Sequence, residues 1–242
     1  MTGRFGPDSR GVWCTDSSPG AVARLAGAGF DWVSLDAQHG VYGRSELVEA
    51  ARSFPEGSAE LVVRVAACEF AAIGAALDVG AGTVVVPQVD SPEEAARAVA
   101  ATYYPPRGRR SRGQIVRTWG RPESDPEALN AATTCAVMIE SAAALDQVEA
   151  IAAVPGVSCL FVGPYDLALT LGTTVDALLD DDASDAALAR IGAAAADHSL
   201  FVAAFGGVPA DAARFAARGI SCLAVATDLW LLEAGAAAAL RS

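Results

Sequence analysis

Residues 61–102 read LVVRVAACEFAAIGAALDVGAGTVVVPQVDSPEEAARAVAAT, and this stretch decides the fold. Two short runs rich in Val, at 61–64 and 83–86, alternate with two longer alanine-rich runs at 71–79 and 92–102. Short apolar β-branched runs suit strands buried on both faces, while runs of Ala with Glu, Leu and Arg suit helices. Ser91 followed by Pro92 is an N-cap with proline at the first helical position. Gly80 follows the other helix as a C-cap glycine does. Strand, helix, strand, helix, with no tight hairpin turn between the strands, is the pattern of parallel β/α units.

The same alternation continues in both directions. Further strands are predicted at 11–14, 32–36, 136–139, 159–162, 201–204 and 222–226, with helices at 19–27, 45–52, 142–152 and 209–218. Gly29 and Gly219 also stand after helices. Eight strands, each followed by a helix, predict a single (β/α)8 TIM barrel over residues 1–242, and the length matches the roughly 250 residues of that fold. An open doubly wound sheet is the alternative. It would bring a G-x-G-x-x-G turn after a strand, and the chain has none there. Two segments break the rhythm. Residues 103–126 form a long loop with arginines at 107, 109, 110 and 112, expected near the mouth of the site, where they would favour anionic substrates. The acidic run 180–182 reads as the solvated start of a helix. The last stretch, 227–240, carries Leu229, Trp230, Leu231 and Leu232 and is apolar on most sides, so it requires burial on more than one face.

Composition narrows the function. A net charge of −12 argues against nucleic acid and anionic membrane as partners. No uninterrupted apolar run is long enough to span a bilayer. The opening MTGRFGPDSR has no apolar signal core, so a cytoplasmic location is expected. Five scattered cysteines without C-x-x-C spacing read as small buried hydrophobes in a reducing compartment. All 17 basic residues are arginine. A chain without lysine has no Schiff-base lysine, pyridoxal-phosphate anchor or Walker A lysine. Carbonyl chemistry here needs another electrophile, and a metal ion is the obvious candidate.

Barrel enzymes carry their reactive groups at the C-terminal ends of strands. The polar residues at those positions are Asp36 and His39 after the second strand and Arg64 ending the third. Gln88 follows the fourth, Glu140 ends the fifth and Asp166 follows the sixth. Each has a bland alternative. A lone histidine is more often structural, as His198 is read to be. A strand-end arginine can simply pair with a neighbouring carboxylate, and Glu or Asp at a helix start is often a cap. Together they supply acids for a metal, an arginine for an anion and a histidine for proton transfer. That set suits chelation and enolisation of a 2-oxo acid.

At these residues the chain resembles the HpcH/HpaI family of class II 2-oxo acid aldolases, over roughly residues 11–228. The likeness runs through GFDWVSLDAQHG (29–40), VVRV (62–65), ALDVGAGTVVVPQVDSPEEAARAVAATYYPPRGRRSRG (76–113) and VMIESAAALDQVEAIAAVPGVSCLFVGPYDLALTLG (137–172). Its most specific part is an acid ending one strand and a G-P-x-D-L turn 26 residues later. The resemblance implies a divalent cation (Mg²⁺, Mn²⁺ or Co²⁺) on Glu140 and Asp166. It also implies an enolate formed from a pyruvate-type donor and an aldehyde as acceptor. It makes His39 the proton-transfer group and Arg64 the contact to pyruvate oxygens, with backbone N–H groups around Gly163, Pro164, Tyr165 and Asp166 holding the carboxylate. It implies a homo-oligomer, a hexamer, with the C-terminal helix exchanged between subunits and Asp78 reaching the histidine of a neighbour. Three departures bear on donor and acceptor: Gln38 where relatives have Glu, Met138 where some have Gln, and Tyr165 in place of a smaller residue. The alternatives are oxaloacetate decarboxylation, cleavage of an acyl-CoA ester such as malyl-CoA, and a non-catalytic ligand-binding barrel.

Overall fold

The computed structural model describes residues 4–113, 115, 125–183 and 185–241. Eight strands run in chain order around a closed barrel: β1 (Arg10–Cys14), β2 (Trp32–Asp36), β3 (Glu60–Arg64), β4 (Thr83–Val86), β5 (Thr134–Ile139), β6 (Cys159–Val162), β7 (Phe201–Phe205) and β8 (Cys222–Thr227). Every neighbouring pair is parallel, including β8 with β1. Each predicted strand is present, with ends differing by no more than two residues. The helices are α1 (Pro19–Ala26), α2 (Arg44–Ser53), α3 (Phe70–Asp78), α4 (Pro92–Thr102), α5 (Pro126–Ala132), α6 (Ala142–Asp146), α7 (Val148–Ala152), α8 (Pro164–Thr170), α9 (Val175–Asp180), α10 (Ala187–Asp197), α11 (Pro209–Ala217) and α12 (Asp228–Arg241). Ser91 caps α4 as expected, its hydroxyl accepting from Glu94 N at 3.2 Å. The helix predicted over 142–152 is broken at Gln147, whose φ of −111° and ψ of 13° leave the helical region.

Alternation along the strands divides the core in two. One set of side chains, including Val33, Val63, Val84 and Leu160, packs outward against the helices. The other fills the barrel: Trp32, Val62, Val85, Ala136, Met138, Phe161, Ala203 and Ala224. Phe5 meets Trp32 edge-on at 5.2 Å and Phe201 at 5.7 Å, filling the N-terminal end. Trp13 and Phe161, 5.6 Å apart, lie toward the C-terminal end. All five cysteines are free, and four of them are buried.

Two expectations are corrected by topology. The arginine-rich loop does not lie at the mouth of this chain's own site. It follows α4, which has returned to the N-terminal end of the barrel. Arg110 there lines a cavity of about 440 Å³ with Glu60, Leu61, Gly82 and Thr133, at the starts of β3, β4 and β5. Arg110 lies over Tyr104 and pairs with Asp78 at 3.4 Å, and Arg107 stacks 3.9 Å over Tyr103. The rest of that loop, 114 and 116–124, is outside the described residues. The acidic run 180–182 ends α9 rather than starting a helix. Negative charge is unfavourable at a helix C-terminus, and here Asp180 and Asp182 are met by Arg214 and Arg218. Finally, α12 leaves Leu229, Leu232 and Leu240 exposed on this chain.

Gly11 sits opposite Trp32 in the β1–β2 register, and a Cβ there would fall inside the indole ring. Gly11→Ala is therefore expected to destabilise the barrel by about 1–3 kcal/mol, the usual cost of overpacking, read as a lower urea midpoint.

Candidate active site

Because all strands are parallel, their C-terminal ends converge at one end of the barrel, and the inward phase of β2, β3 and β7 carries their last residues, Asp36, Arg64 and Phe205, into it. Asp36 and Arg64 are register partners on β2 and β3. Arg64 Nε donates to Asp36 Oδ1 at 2.8 Å, and Nη2 donates to Oδ2, a bidentate pair. Asp36 also accepts from the backbone N–H of Gln38 (3.0 Å) and His39 (3.1 Å) and from the Trp13 indole (3.2 Å). Burial alone would push its carboxyl pKa up. The Arg64 hydrogen bond and charge, with the other donors, hold it below the ordinary aspartate range. The bland expectation for a strand-end arginine is thus met, since Arg64 does pair with a carboxylate. The guanidinium has five N–H groups and still borders the open cavity.

The same carboxylate shapes the turn that carries His39. Gly40 N donates back to Asp36 O at 3.1 Å. Any Cβ at Gly40 would collide with the carbonyl oxygens of Asp36 and Thr15, so D-A-Q-H-G needs its glycine. The His39 side chain is exposed and lines the cavity.

Glu140 follows β5 and is only 5% exposed. Its Oε1 accepts from Gln88 N at 2.7 Å, while its buried Oε2 has no partner. Gln88 holds a left-handed φ of 54°, which aims that N–H; its own side chain is exposed and does not line the cavity. Gln88, a polar strand-end candidate for substrate binding, thus meets Glu140 through its backbone N–H. A Cβ on Gly163 would come within 2.8 Å of Glu140 Oε2 and Met138 Cε, so glycine keeps this space open. Neither acid caps a helix. The α6 cap is Ser141, accepting from Ala144 N at 2.9 Å, and the α8 cap is Gly163, with Asp166 inside the first turn. Burial raises the Glu140 pKa, offset in part by the Gln88 N–H and the Arg64 charge, and Asp166 pushes it further up.

One cavity of about 350 Å³ brings together Asp36, His39, Arg64, Glu140, Gly163, Pro164, Tyr165 and Asp166. Asp78 is not among them. It ends α3 at the opposite end of the barrel, beside Arg110, so this chain does not deliver it to its own site. Trp13, Thr15, Met138, Phe161 and Phe205 complete the lining. A search confined to polar strand ends missed them, although Trp13 and Phe205 stand near strand ends in the sequence. Among the described residues no three or more His, Cys, Asp or Glu side chains group as a metal site. A cation here would take the two carboxylates and fill its remaining positions with water and substrate oxygens, as hard cations do.

The family model for HpcH/HpaI aldolase/citrate lyase matches residues 9–234. The chain belongs to the HpcH/HpaI aldolase/citrate lyase family. It is 37% identical over 233 residues to the hydroxypyruvate/pyruvate aldolase of Paraburkholderia phytofirmans, covering 93% of this chain and 89% of that one. It is 39% identical over 197 residues to the 4-hydroxy-2-oxovalerate aldolase of Novosphingobium aromaticivorans, covering 78% and 73%. An HpcH/HpaI family crystal structure from Burkholderia cenocepacia superposes with a TM-score of 0.84 at 35% identity, covering 98% and 96%. Like its aldolase relatives, this HpcH/HpaI protein is a carbon–carbon lyase. Among the described residues no helix is long and apolar enough to cross a membrane.

Asp36→Asn would leave the Arg64 guanidinium buried without its counter-charge. A loss of about 3–5 kcal/mol is expected, the usual result of breaking a buried pair from one side. Because the folded pKa of Asp36 is depressed, its stabilisation is complete above the unfolded aspartate pKa and is lost as pH falls through the lower folded one. Urea midpoints of wild type and variant should therefore differ at neutral pH and converge only in strong acid.

Proposed function

We propose that the chain is a divalent-metal-dependent class II aldolase, which joins a pyruvate-type enolate to an aldehyde or cleaves the resulting 4-hydroxy-2-oxo acid. The observation that carries this reading is the unpartnered, buried Glu140 Oε2, in one cavity with Asp166, His39 and a pre-positioned Arg64. Glu140 and Asp166 would hold the cation. An all-oxygen pair of carboxylates suits Mg²⁺, Mn²⁺ or Co²⁺ better than a thiolate-seeking metal. When bound, the cation supplies Lewis-acid polarisation of the 2-oxo carbonyl and acidifies the adjacent C–H. The first-turn N–H groups of Tyr165 and Asp166 have no acceptor within α8 and take up the donor's carboxylate. His39, or a water it orients, removes the C3 proton. Arg64, fixed by Asp36, faces the oxygen on which negative charge grows.

Glu140→Gln and Asp166→Asn conserve shape and remove charge. Both variants are expected to keep the wild-type urea midpoint while losing metal affinity in calorimetric titration and nearly all aldol cleavage. Chelation by EDTA should silence the wild type. Active variants indifferent to EDTA would sink the metal reading.

The assembly is part of the same proposal. Asp78 can meet a His39 only across a contact between copies, and the exposed leucines of α12 favour burial against a neighbour, in an exchanged arrangement and a hexamer as in the family resemblance. His39→Ala is expected to lower kcat by roughly 10²–10⁴, the range of a general acid–base group, and Asp78→Ala to lower it to a lesser degree. Light scattering of the wild type should give an oligomer. A monodisperse monomer of full activity would remove Asp78 from the mechanism.

A further inference from the structure

Beyond the donor-handling groups, the cavity wall is aromatic. Trp13 meets Phe161 at 5.6 Å and Phe205 edge-on at 5.3 Å, and Phe205 meets Tyr165 at 6.0 Å with the rings tilted by 60°. These four rings form a continuous row. It starts at Phe161, which is fully buried at the cavity floor, and ends at Tyr165, which is 56% exposed at the mouth. An aromatic ring left this open on a barrel rim has apolar surface to cover. The polar lining is already committed. Asp36 and Arg64 hold each other, and Glu140, Asp166 and His39 serve the donor and its cation in the reading above. The other polar side-chain groups among the described lining residues are two hydroxyls, that of Thr15 and the phenol of Tyr165 at the mouth. The chain has no lysine, and Arg64 is the one guanidinium among those lining residues.

We infer that the acceptor is a neutral aldehyde with an aromatic or similarly bulky apolar substituent, and that Tyr165 and Phe205 set this specificity. The inference rests on the aldolase reading. An aryl group entering beside Tyr165 and Phe205 stacks edge-on or offset against two rings and removes their faces from water. A polyhydroxylated acceptor would bring several hydroxyl groups to a wall that is mostly ring surface and offers the hydroxyls of Thr15 and Tyr165, and buried hydroxyls without partners are costly. Among this chain's described lining residues a carboxylated acceptor would find one guanidinium, Arg64, already paired with Asp36. The bond-forming step is redox-neutral. The donor carbon that has lost its proton forms the new C–C bond to the aldehyde carbon. The C=O electron pair moves onto oxygen, and that oxygen takes up a proton, giving a 4-hydroxy-2-oxo acid.

The test uses the intact protein with Mg²⁺ or Mn²⁺, pyruvate as donor, and phenylacetaldehyde, D-glyceraldehyde and succinic semialdehyde as acceptors. Donor activation is read separately, as metal-dependent exchange of the pyruvate methyl protons for deuterium without any aldehyde. The expected result is kcat/KM for phenylacetaldehyde at least roughly tenfold above both other acceptors, the scale on which an apolar pocket discriminates. Tyr165→Ala and Phe205→Ala should each reduce that ratio several-fold, and Tyr165→Phe should retain it. If exchange occurs but glyceraldehyde or succinic semialdehyde is used as well as the aryl aldehyde, the acceptor assignment is overturned and the donor chemistry stands. The same holds if the alanine variants leave the ratio intact or if Tyr165→Phe abolishes it. If no exchange occurs, the aldolase reading fails and this inference fails with it.

Discussion

Two buried charges on adjacent strands, Asp36 and Arg64, tie the reactive end of the barrel together. Removing a carboxylate and a guanidinium from water is expensive, and attraction between them offsets it only when the remaining donors and acceptors are also satisfied. Asp36 meets that condition with two bonds from Arg64, one from the Trp13 indole and two from the N–H groups of Gln38 and His39. One carboxylate thereby fixes the ends of β1, β2 and β3 and the turn that presents the histidine. The packing of Trp13 depends on it too, since the indole lies 5.2 Å beneath the guanidinium.

Glu140 is the counterpart. It is as buried as Asp36 is, yet its pKa moves the other way. The difference lies in the partners. Asp36 has a full-charge guanidinium against both oxygens. Glu140 has a backbone N–H on one oxygen, none on the other, and a second carboxylate nearby. A buried acid whose charge is left uncompensated is a feature of functional sites rather than of stable cores. Gly163 and the left-handed Gln88 maintain that state, one by leaving room and the other by aiming its N–H.

The strands and their order were legible because all eight are dense apolar runs separated by helical stretches, and parallel β/α units allow few topologies. The polar side chains that line the cavity were legible too, since only a few polar residues end those runs. The Asp36–Arg64 pair was visible as residue types but not as a bond, because pairing depends on register. The arginine cluster at 107–112 was misplaced because its charge was weighed without its position. A loop joining a helix to the next strand falls at the N-terminal end of such a barrel, whatever its composition. The acidic run at 180–182 carries no sign of its role because its partners, Arg214 on α11 and Arg218 just after it, lie more than thirty residues away. The aromatic wall carried no motif at all. Its rings belong to separate strands and to one turn, and closure of the barrel alone brings them into a row.

Charge balance links the two halves of this cavity. Asp36 and Arg64 neutralise each other, so Glu140 and Asp166 leave two negative charges facing the interior. In the proposed aldolase a divalent cation would cancel those two, and a donor carboxylate would then add one for backbone N–H groups and the outer face of Arg64 to meet. A second anionic group, on the acceptor, would enter with nothing further among this chain's described lining residues to compensate it, in a cavity whose aromatic wall lowers the local dielectric and strengthens the repulsion. The wall and the carboxylate pair therefore impose the same restriction from opposite sides. The apolar surface gives an uncharged acceptor something to pack against, and the saturated charge inventory gives a charged one no counterpart.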